Sequence, residues 1–458
     1  MPWFRDRRLL FALALGLVVR LLFALSSYDD ACIRDECTYL KMAERLVSGQ
    51  GITSSAGWLW APGYPFLLGV AKYLFGYGAG IVALQIVCAG VSAVLVYAMA
   101  LRAFEGDTRV ARTAALLYLL SPHQAFFSTR LWSEVIYGTI LLGVLLLIDR
   151  ARRQAAGASP GSGLRTAALV GFLAGTCVLF RGVATYMVPI LALGFIWGRW
   201  RLRVAQKQVV MMVALTAITV APYSAYATHK FGAFVITDRT LGQMMYLGNN
   251  DFEPISFDYG NGELSKRAFD RERAKGREPC AARANAMDRD TCQTQEGVRW
   301  MKENPLQFVK RMPLRVAQML TPHTLLTRHL RWDRWPGMPW WLDEALILWT
   351  VGWSLVVLLV GAPALAARAK GAIGLVIGLI LLYHVAAISV LAGISRYRVP
   401  LEPFLMVYAA AALARPADTW EALRRHRGRL GLSVLVLLVM LPLVLWFLPA
   451  GWPEWRHW

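Results

Sequence analysis

The sequence predicts an all-α polytopic membrane protein, and three observations predict it. Of its residues, 57% are hydrophobic and only 17% charged. The apolar residues gather in runs long enough to cross a bilayer. The basic residues gather in alternate connections between those runs. A soluble chain of 458 residues needs a more charged surface. These features exclude a secreted enzyme, a soluble nucleotide-binding protein and a disordered chain.

The runs read as about eleven spans, at 9–27, 79–101, 113–127, 132–148, 166–180, 183–198, 208–226, 345–366, 371–393, 400–414 and 430–449. The first follows Met-Pro-Trp-Phe-Arg-Asp-Arg-Arg, which imitates the start of a signal peptide. Its length and the many spans after it favour a retained helix. With the N-terminus cytoplasmic, the inner connections hold clusters such as Arg5, Arg7 and Arg8, Arg150, Arg152 and Arg153, and Arg424, Arg425, Arg427 and Arg429. Most of the formal charge of +20 therefore reports orientation. No nucleic-acid partner is expected, and the protein is placed in the cell (inner) membrane.

That orientation leaves two long segments on the external, periplasmic face. Residues 1–227 form a transmembrane module of seven spans that includes the first external loop, 28–78. Residues 228–344 form an external region of mixed character, and 345–458 a second transmembrane module with spans eight to eleven. The hydrophilic stretch 251–300 has ten acids and nine bases, which reads as a solvated surface. Of the six cysteines, Cys88 and Cys177 fall inside spans. Cys32, Cys37, Cys280 and Cys292 fall outside, where disulfides are permitted; Cys280–Cys292 with Cys32–Cys37 is the favoured pairing, and cross-pairing stays open.

The first external loop carries the chemistry. Asp29, Asp30, Asp35 and Glu36 follow the first span. From Asp35 a helical pattern places Tyr39, Leu40, Ala43, Leu46 and Val47 on one face, as in a helix lying in the membrane interface. Gly49-Gln-Gly51 ends it. Trp58, Trp60 and Tyr64 read as an aromatic belt at headgroup depth. A carboxylate in the first turn of such a helix complements the helix dipole, which is its structural explanation. The functional one is a general base held at the bilayer surface.

The run Arg34-Asp35-Glu36-Cys-Thr-Tyr39 through Gly49-Gln-Gly51, followed by Ala61-Pro62-Gly63-Tyr64-Pro65, resembles the first external loop of GT-C membrane glycosyltransferases. It is most similar to the glycosyltransferase family 39 type, which includes protein O-mannosyltransferases and the lipid A aminoarabinose transferase. Ser133-Glu134, Tyr246-Leu247-Gly248-Asn249-Asn250, Glu303-Asn304-Pro305 and Arg396-Tyr397-Arg398-Val-Pro400 continue the resemblance in the family's order. It implies transfer of a sugar from a polyprenyl-phosphate carrier at the outer face of the membrane, with Asp35 matching the catalytic Asp and Glu36 its neighbour. The acceptor, whether lipid, glycan or protein, does not carry over.

Four arginines fall near the external headgroup level. Arg396 and Arg398, with Tyr397 between them, are expected to hold the donor phosphate, the arginines through paired guanidinium donors. Arg181 is a further candidate, although the family often has Pro after this Arg and Gly182 follows here. Arg20 is expected to snorkel. Glu134, His123, His323 and His384 read as structural. An interfacial helix is expected over 304–320, bent or broken at Pro313. The sequence contains no GxxxxGK[ST] loop, complete GxGxxG, HExxH or GxSxG, so an activated donor has to supply the chemistry. No cofactor is required, and the spacing of Asp29, Asp30, Asp35 and Glu36 alone does not establish a divalent metal. The alternative function is a transporter or lipid flippase, which calls for polar residues at mid-membrane and two related halves.

Overall fold

The computed structural model describes residues 3–26, 32, 35–52, 59–75, 79–156, 163–198, 202–251, 276, 280, 283, 285–331 and 333–446. Asp29, Asp30, Arg34, Trp58 and most of 252–284 lie outside the described residues.

The chain begins with α1 (Arg7–Leu25), α2 (Asp35–Val47), α3 (Gly63–Phe75) and α4 (Ala79–Ala103). It continues through α5 (Thr108–Leu119), α6 (Pro122–Thr129), α7 (Glu134–Ala156), α8 (Leu164–Phe180), α9 (Val188–Ile196) and α10 (Leu202–Phe231). After α10 come α11 (Leu241–Gly248), α12 (Ala286–Glu303), α13 (Pro305–Leu320) and α14 (Leu325–Arg331). The last elements are α15 (Trp340–Arg368), α16 (Gly371–Val390), α17 (Glu402–Ala414), α18 (Pro416–Arg425) and α19 (Arg427–Leu445). Among the described residues the only β pairing is one antiparallel bridge between Leu59 and Arg239.

Six of these helices, α1, α4, α10, α15, α16 and α19, are long and apolar enough to cross a membrane. The bent pair α6 and α7, at 114°, makes a seventh if it is one span. Residues 164–180, 182–196 and 402–414 form shorter apolar helices. The protein is thus a multi-pass membrane protein, and the described helices establish six or seven spans by this measure against the eleven expected. Phe11, Leu22 and Leu25 of α1 and Leu435 and Leu438 of α19 are all exposed on the surface of the helix assembly. Such faces are at home in hydrocarbon.

The expected span 113–127 is interrupted. Ser121 caps a new helix by accepting from the Gln124 N–H at 3.2 Å, and Pro122 occupies the first turn. Helix packing relies on small residues, as membrane bundles generally do. A Cβ on Gly171 of α8 would lie 2.3 Å from the Met212 carbonyl oxygen of α10, so only glycine permits that crossing. Arg20 does not snorkel: it is buried and donates to the carbonyls of Gly16 at 3.0 Å and Leu119 at 2.8 Å. Helix α13 runs unbroken through Pro313. Its Arg315 is buried and ties it to the Ser389 carbonyl at 2.8 Å and Asn249 Oδ1 at 2.8 Å.

The helix ends sort into two sets. At one end Asp6 caps α1 and receives Tyr97 and Arg112, while Asp107 receives Arg415 at 2.7 Å. At the other lie Asp35, Glu134, Arg181 and Arg396. Asp35, Arg181 and Arg396 line a single cavity, and the buried Glu134 joins the two arginines behind it.

Candidate active site

Helix α2 opens with Asp35 and Glu36, and the Cys32–Cys37 disulfide brackets both carboxylates. Successive positions on a helix point about 100° apart, so the two side chains diverge. Glu36 is buried and receives Arg130 Nε at 2.9 Å, Arg130 Nη2 at 2.5 Å and the Leu131 N–H at 3.2 Å. Asp35 points the other way and accepts from Arg396 Nη1. Its side chain keeps 32% exposure, against 10% for that of Arg396. Among these charged groups Asp35 is the carboxylate open to an incoming molecule.

Arg396 is delivered by the short 3-10 helix Ser395–Arg398 between α16 and α17. Its Nε donates to Glu134 Oε1, and Arg181 Nη1 donates to that oxygen at 2.6 Å. Glu134, fully buried at the start of α7, thus joins the two arginines. Aromatic rings back both cations: Arg396 lies 5.5 Å from the Trp132 ring, and Arg181 lies 5.8 Å from those of Tyr137 and Tyr397. Burial weakens an arginine's hold on its proton, but Glu134 and then Asp35 outweigh it and push Arg396 well above its ordinary pKa. Burial likewise opposes Arg181, and Glu134 prevails there. Both stay charged.

Asp35, Arg181, Arg396 and Tyr397 line one cavity of about 680 Å³. Tyr39, Trp60, Phe180, Tyr186, Phe234, Ile236, Ile388 and Leu391 give it apolar and aromatic walls. Thr237, Asp238, Thr240, Gln243, Thr294 and Gln295 give it a polar one. Burial pushes the Tyr39 phenol up to about 12, so it remains protonated. Tyr64 does not sit in a headgroup belt. It is fully buried, packs edge-on to Tyr39 with ring centres 5.0 Å apart, and donates to Gln85 at 3.0 Å.

Of the expected phosphate-binding residues, the structure brings Arg181, Arg396 and Tyr397 to the cavity and leaves Arg398 out. Arg398 is buried, pairs with Glu402 at 2.9 Å, and donates to Ser354 Oγ at 3.0 Å and to the carbonyls of Met319 at 3.0 Å and Thr321. Every nitrogen of its guanidinium is engaged within the helix core, which corrects the expectation that it meets the donor. His123 joins that core network, 2.9 Å from Glu402. His384 lines the cavity with Nδ1 on its own helix, 2.8 Å from the Ile380 carbonyl. Cys280 and Cys292 are joined by a disulfide.

For a metal, the arrangement is plain. Among the described residues no three His, Cys, Asp or Glu side chains are grouped as ligands. Asp35 and Glu36 are committed to separate arginines, and Asp29 and Asp30 lie outside the described residues. Reading the sequence alone missed Arg130 as the partner of Glu36, Glu134 as the link between arginines, and Asp238 as a cavity residue. Arg130 and Glu134 stand four residues apart beside an aromatic residue, which was the available signal.

Helices in this arrangement form a fold shared with solved structures. Its solved examples include the oligosaccharyltransferase of Archaeoglobus fulgidus, tethered to an acceptor peptide containing the NVT sequon. That structure aligns with 98% of this chain at 13% identity and a TM-score of 0.52. The same archaeal protein, AglB, in complex with an inhibitory peptide and a dolichol-phosphate, aligns over 98% of this chain at 14% identity and a TM-score of 0.52. This chain spans 56% of the archaeal protein's length. ArnT from Cupriavidus metallidurans bound to undecaprenyl phosphate aligns over 89% of this chain and 78% of its own, at 15% identity and a TM-score of 0.44. No family model matches the sequence. No curated protein matches it either.

Proposed function

We propose that the protein is an inverting glycosyltransferase. It moves a sugar from a polyprenyl-phosphate carrier to a lipid, glycan or protein acceptor at the outer, periplasmic face of the inner membrane. The observation that carries the reading is the meeting of Asp35 with Arg181 and Arg396 in one cavity whose other walls are largely apolar. A carrier lipid needs that combination, with apolar walls for the chain and paired guanidinium donors for the phosphate. The archaeal protein of the same fold holds a dolichol-phosphate, which supports a lipid phosphate here.

In this reading the acceptor's O–H or N–H gives its proton to Asp35 while the acceptor atom bonds to the anomeric carbon. The bond from that carbon to the phosphate oxygen breaks, and its electron pair leaves with the phosphate. The carrier changes from a phosphodiester to a phosphomonoester, so its negative charge grows as it departs. Arg181 and Arg396 stand where that charge develops. Arg396 currently donates to Asp35, so an arriving phosphate competes for those donors and frees the carboxylate for the acceptor. Glu36 touches no cavity wall; its pair with Arg130 fixes the start of α2 and hence Asp35.

The test is turnover by the purified protein in proteoliposomes. Undecaprenyl phosphates carrying radiolabelled sugars are supplied with lipid, peptide and glycan acceptors. Label is expected to appear on one acceptor class, with the opposite anomeric configuration. Carrier movement across the bilayer with no transfer to any acceptor would overturn the reading.

A further inference from the structure

The polar wall of the cavity takes no part in the reaction described above. Two of its residues, Thr237 and Asp238, lie on the segment between α10 and α11. The next residue pins that segment: the Arg239 N–H donates to the Leu59 carbonyl at 2.8 Å, and Arg239 Nη1 lies 3.7 Å from Asp290. The Asp238 carboxylate rests against Gly182, whose backbone N–H donates to it. A Cβ at Gly182 would lie 2.5 Å from Asp238 Oδ1 and 2.6 Å from Oδ2, so glycine is what admits the carboxylate. Gly182 follows Arg181 directly. A proline at this position would have no N–H to offer, so a glycine directly after Arg181 has a physical consequence.

A carboxylate offers about four acceptor sites. Gly182 supplies one donor, and among the described residues no cation is ion-paired with Asp238. Thr237 is buried, and its Oγ1 makes no hydrogen bond. Unused acceptors and an unpartnered hydroxyl on the wall of a cavity call for a ligand that donates and accepts. An anion would be repelled by Asp238. A ligand ammonium would meet the charges of Arg181 and Arg396 across the cavity. Sugar hydroxyls suffer neither penalty.

We propose that Asp238, with Thr237 beside it, binds hydroxyl groups of the sugar carried on the polyprenyl phosphate and thereby selects which sugars are accepted. The assignment rests on the glycosyl-transfer reading: with the phosphate on Arg181, the attached ring lies beside Gly182 and Asp238. A site built to hydrogen-bond a hydroxyl discriminates strongly against an analogue that lacks it. The proposal also has a pH signature. Burial, with Asp290 adding to it against Gly182 and Arg181, raises Asp238 to about 6. Tyr223 and Arg239 are the other titratable groups facing this corner. Hydroxyl binding is therefore full at neutral pH and declines as pH falls through about 6.

The experiment measures affinities of the full-length protein in nanodiscs. The probes are bare undecaprenyl phosphate and undecaprenyl phosphates carrying mannose, glucose, galactose, N-acetylglucosamine or arabinose. At least one sugar-bearing carrier is expected to bind more tightly than the bare carrier. Asp238→Asn and Asp238→Ala should cut that advantage roughly tenfold, the scale of one hydrogen bond to a charged group, and leave bare-carrier affinity within about twofold. The variants should also lose the decline below pH 6. The assignment is overturned if the wild type gives no sugar an advantage, if both variants keep the advantage, or if their loss falls on acceptor affinity. Failure of the bare carrier to bind the wild type is a separate result, which brings down the glycosyl-transfer reading itself.

Discussion

On the short helix Ser395–Arg398, alternate arginines reach opposite surroundings. Arg396 turns to Asp35, Glu134 and the cavity, whereas Arg398 turns into the helix core toward Glu402. Their variants should differ accordingly. Arg396→Lys keeps a charge beside Glu134 but loses the planar fork, and it should weaken undecaprenyl phosphate binding by about ten- to a hundredfold. Arg398→Ala leaves the buried Glu402 without its arginine, which costs about 3–5 kcal/mol. It should therefore lower the thermal unfolding midpoint in detergent while donor affinity in the surviving folded protein is unchanged. Equal donor losses in the two variants would contradict the assignment. The sequence could not separate these two residues, because the contacts that divide them are remote: Glu134 lies 262 positions from Arg396, and Ser354 lies 44 from Arg398, although Glu402 is only four away. The place of Asp35 at the start of α2 was legible because its signal is local, a carboxylate opening an amphipathic helix just beyond a span.

Helix α2 works as a rigid mount for one carboxylate. The Glu36–Arg130 pair and the Tyr39 contacts with Trp60 and Tyr64 hold it against neighbouring segments. Glu36→Gln should lower both stability and turnover, since Arg130 loses its charged partner; Asp35→Asn should lower turnover alone. Parallel melting curves and transfer assays separate the two effects. The crossing of α8 and α10 gives another test. Gly171→Leu forces a side chain against the Met212 carbonyl, and overpacking of this kind costs about 1–3 kcal/mol. A melting midpoint equal to wild type would show that the crossing yields. Helix identity was readable from hydropathy, but helix ends were not. The Ser121 cap divides an apolar run that averaging over residues 113–127 treats as continuous, and Pro313 is tolerated in α13 because burial of Arg315 and the residues after it holds the last turns in place.

For the molecule as a whole, the side chains around the cavity lie at one end of the helices, and the Asp6–Arg112 and Asp107–Arg415 pairs lie at the other. The sequence anticipated this division through its charge, since the basic connections belong to the end away from Asp35. It did not disclose the polar wall that contains Asp238, because that wall exists only once 237–243 and α12 come together. With the basic end cytoplasmic, Gln50→Cys should react with a membrane-impermeant maleimide from outside intact cells, and Glu421→Cys only after permeabilisation. The reverse pattern would contradict the proposed outer-face chemistry.

The central claim is that Asp35 takes the acceptor's proton in a cavity that holds the donor by other residues. Single-turnover transfer from a labelled undecaprenyl-phosphate sugar, with donor affinity measured on the same preparations, tests it most directly. Asp35→Asn should bind donor within a few-fold of wild type and transfer about 100- to 10,000-fold more slowly, the range for loss of a general base. Wild-type transfer by that variant, with donor binding intact, would contradict the account.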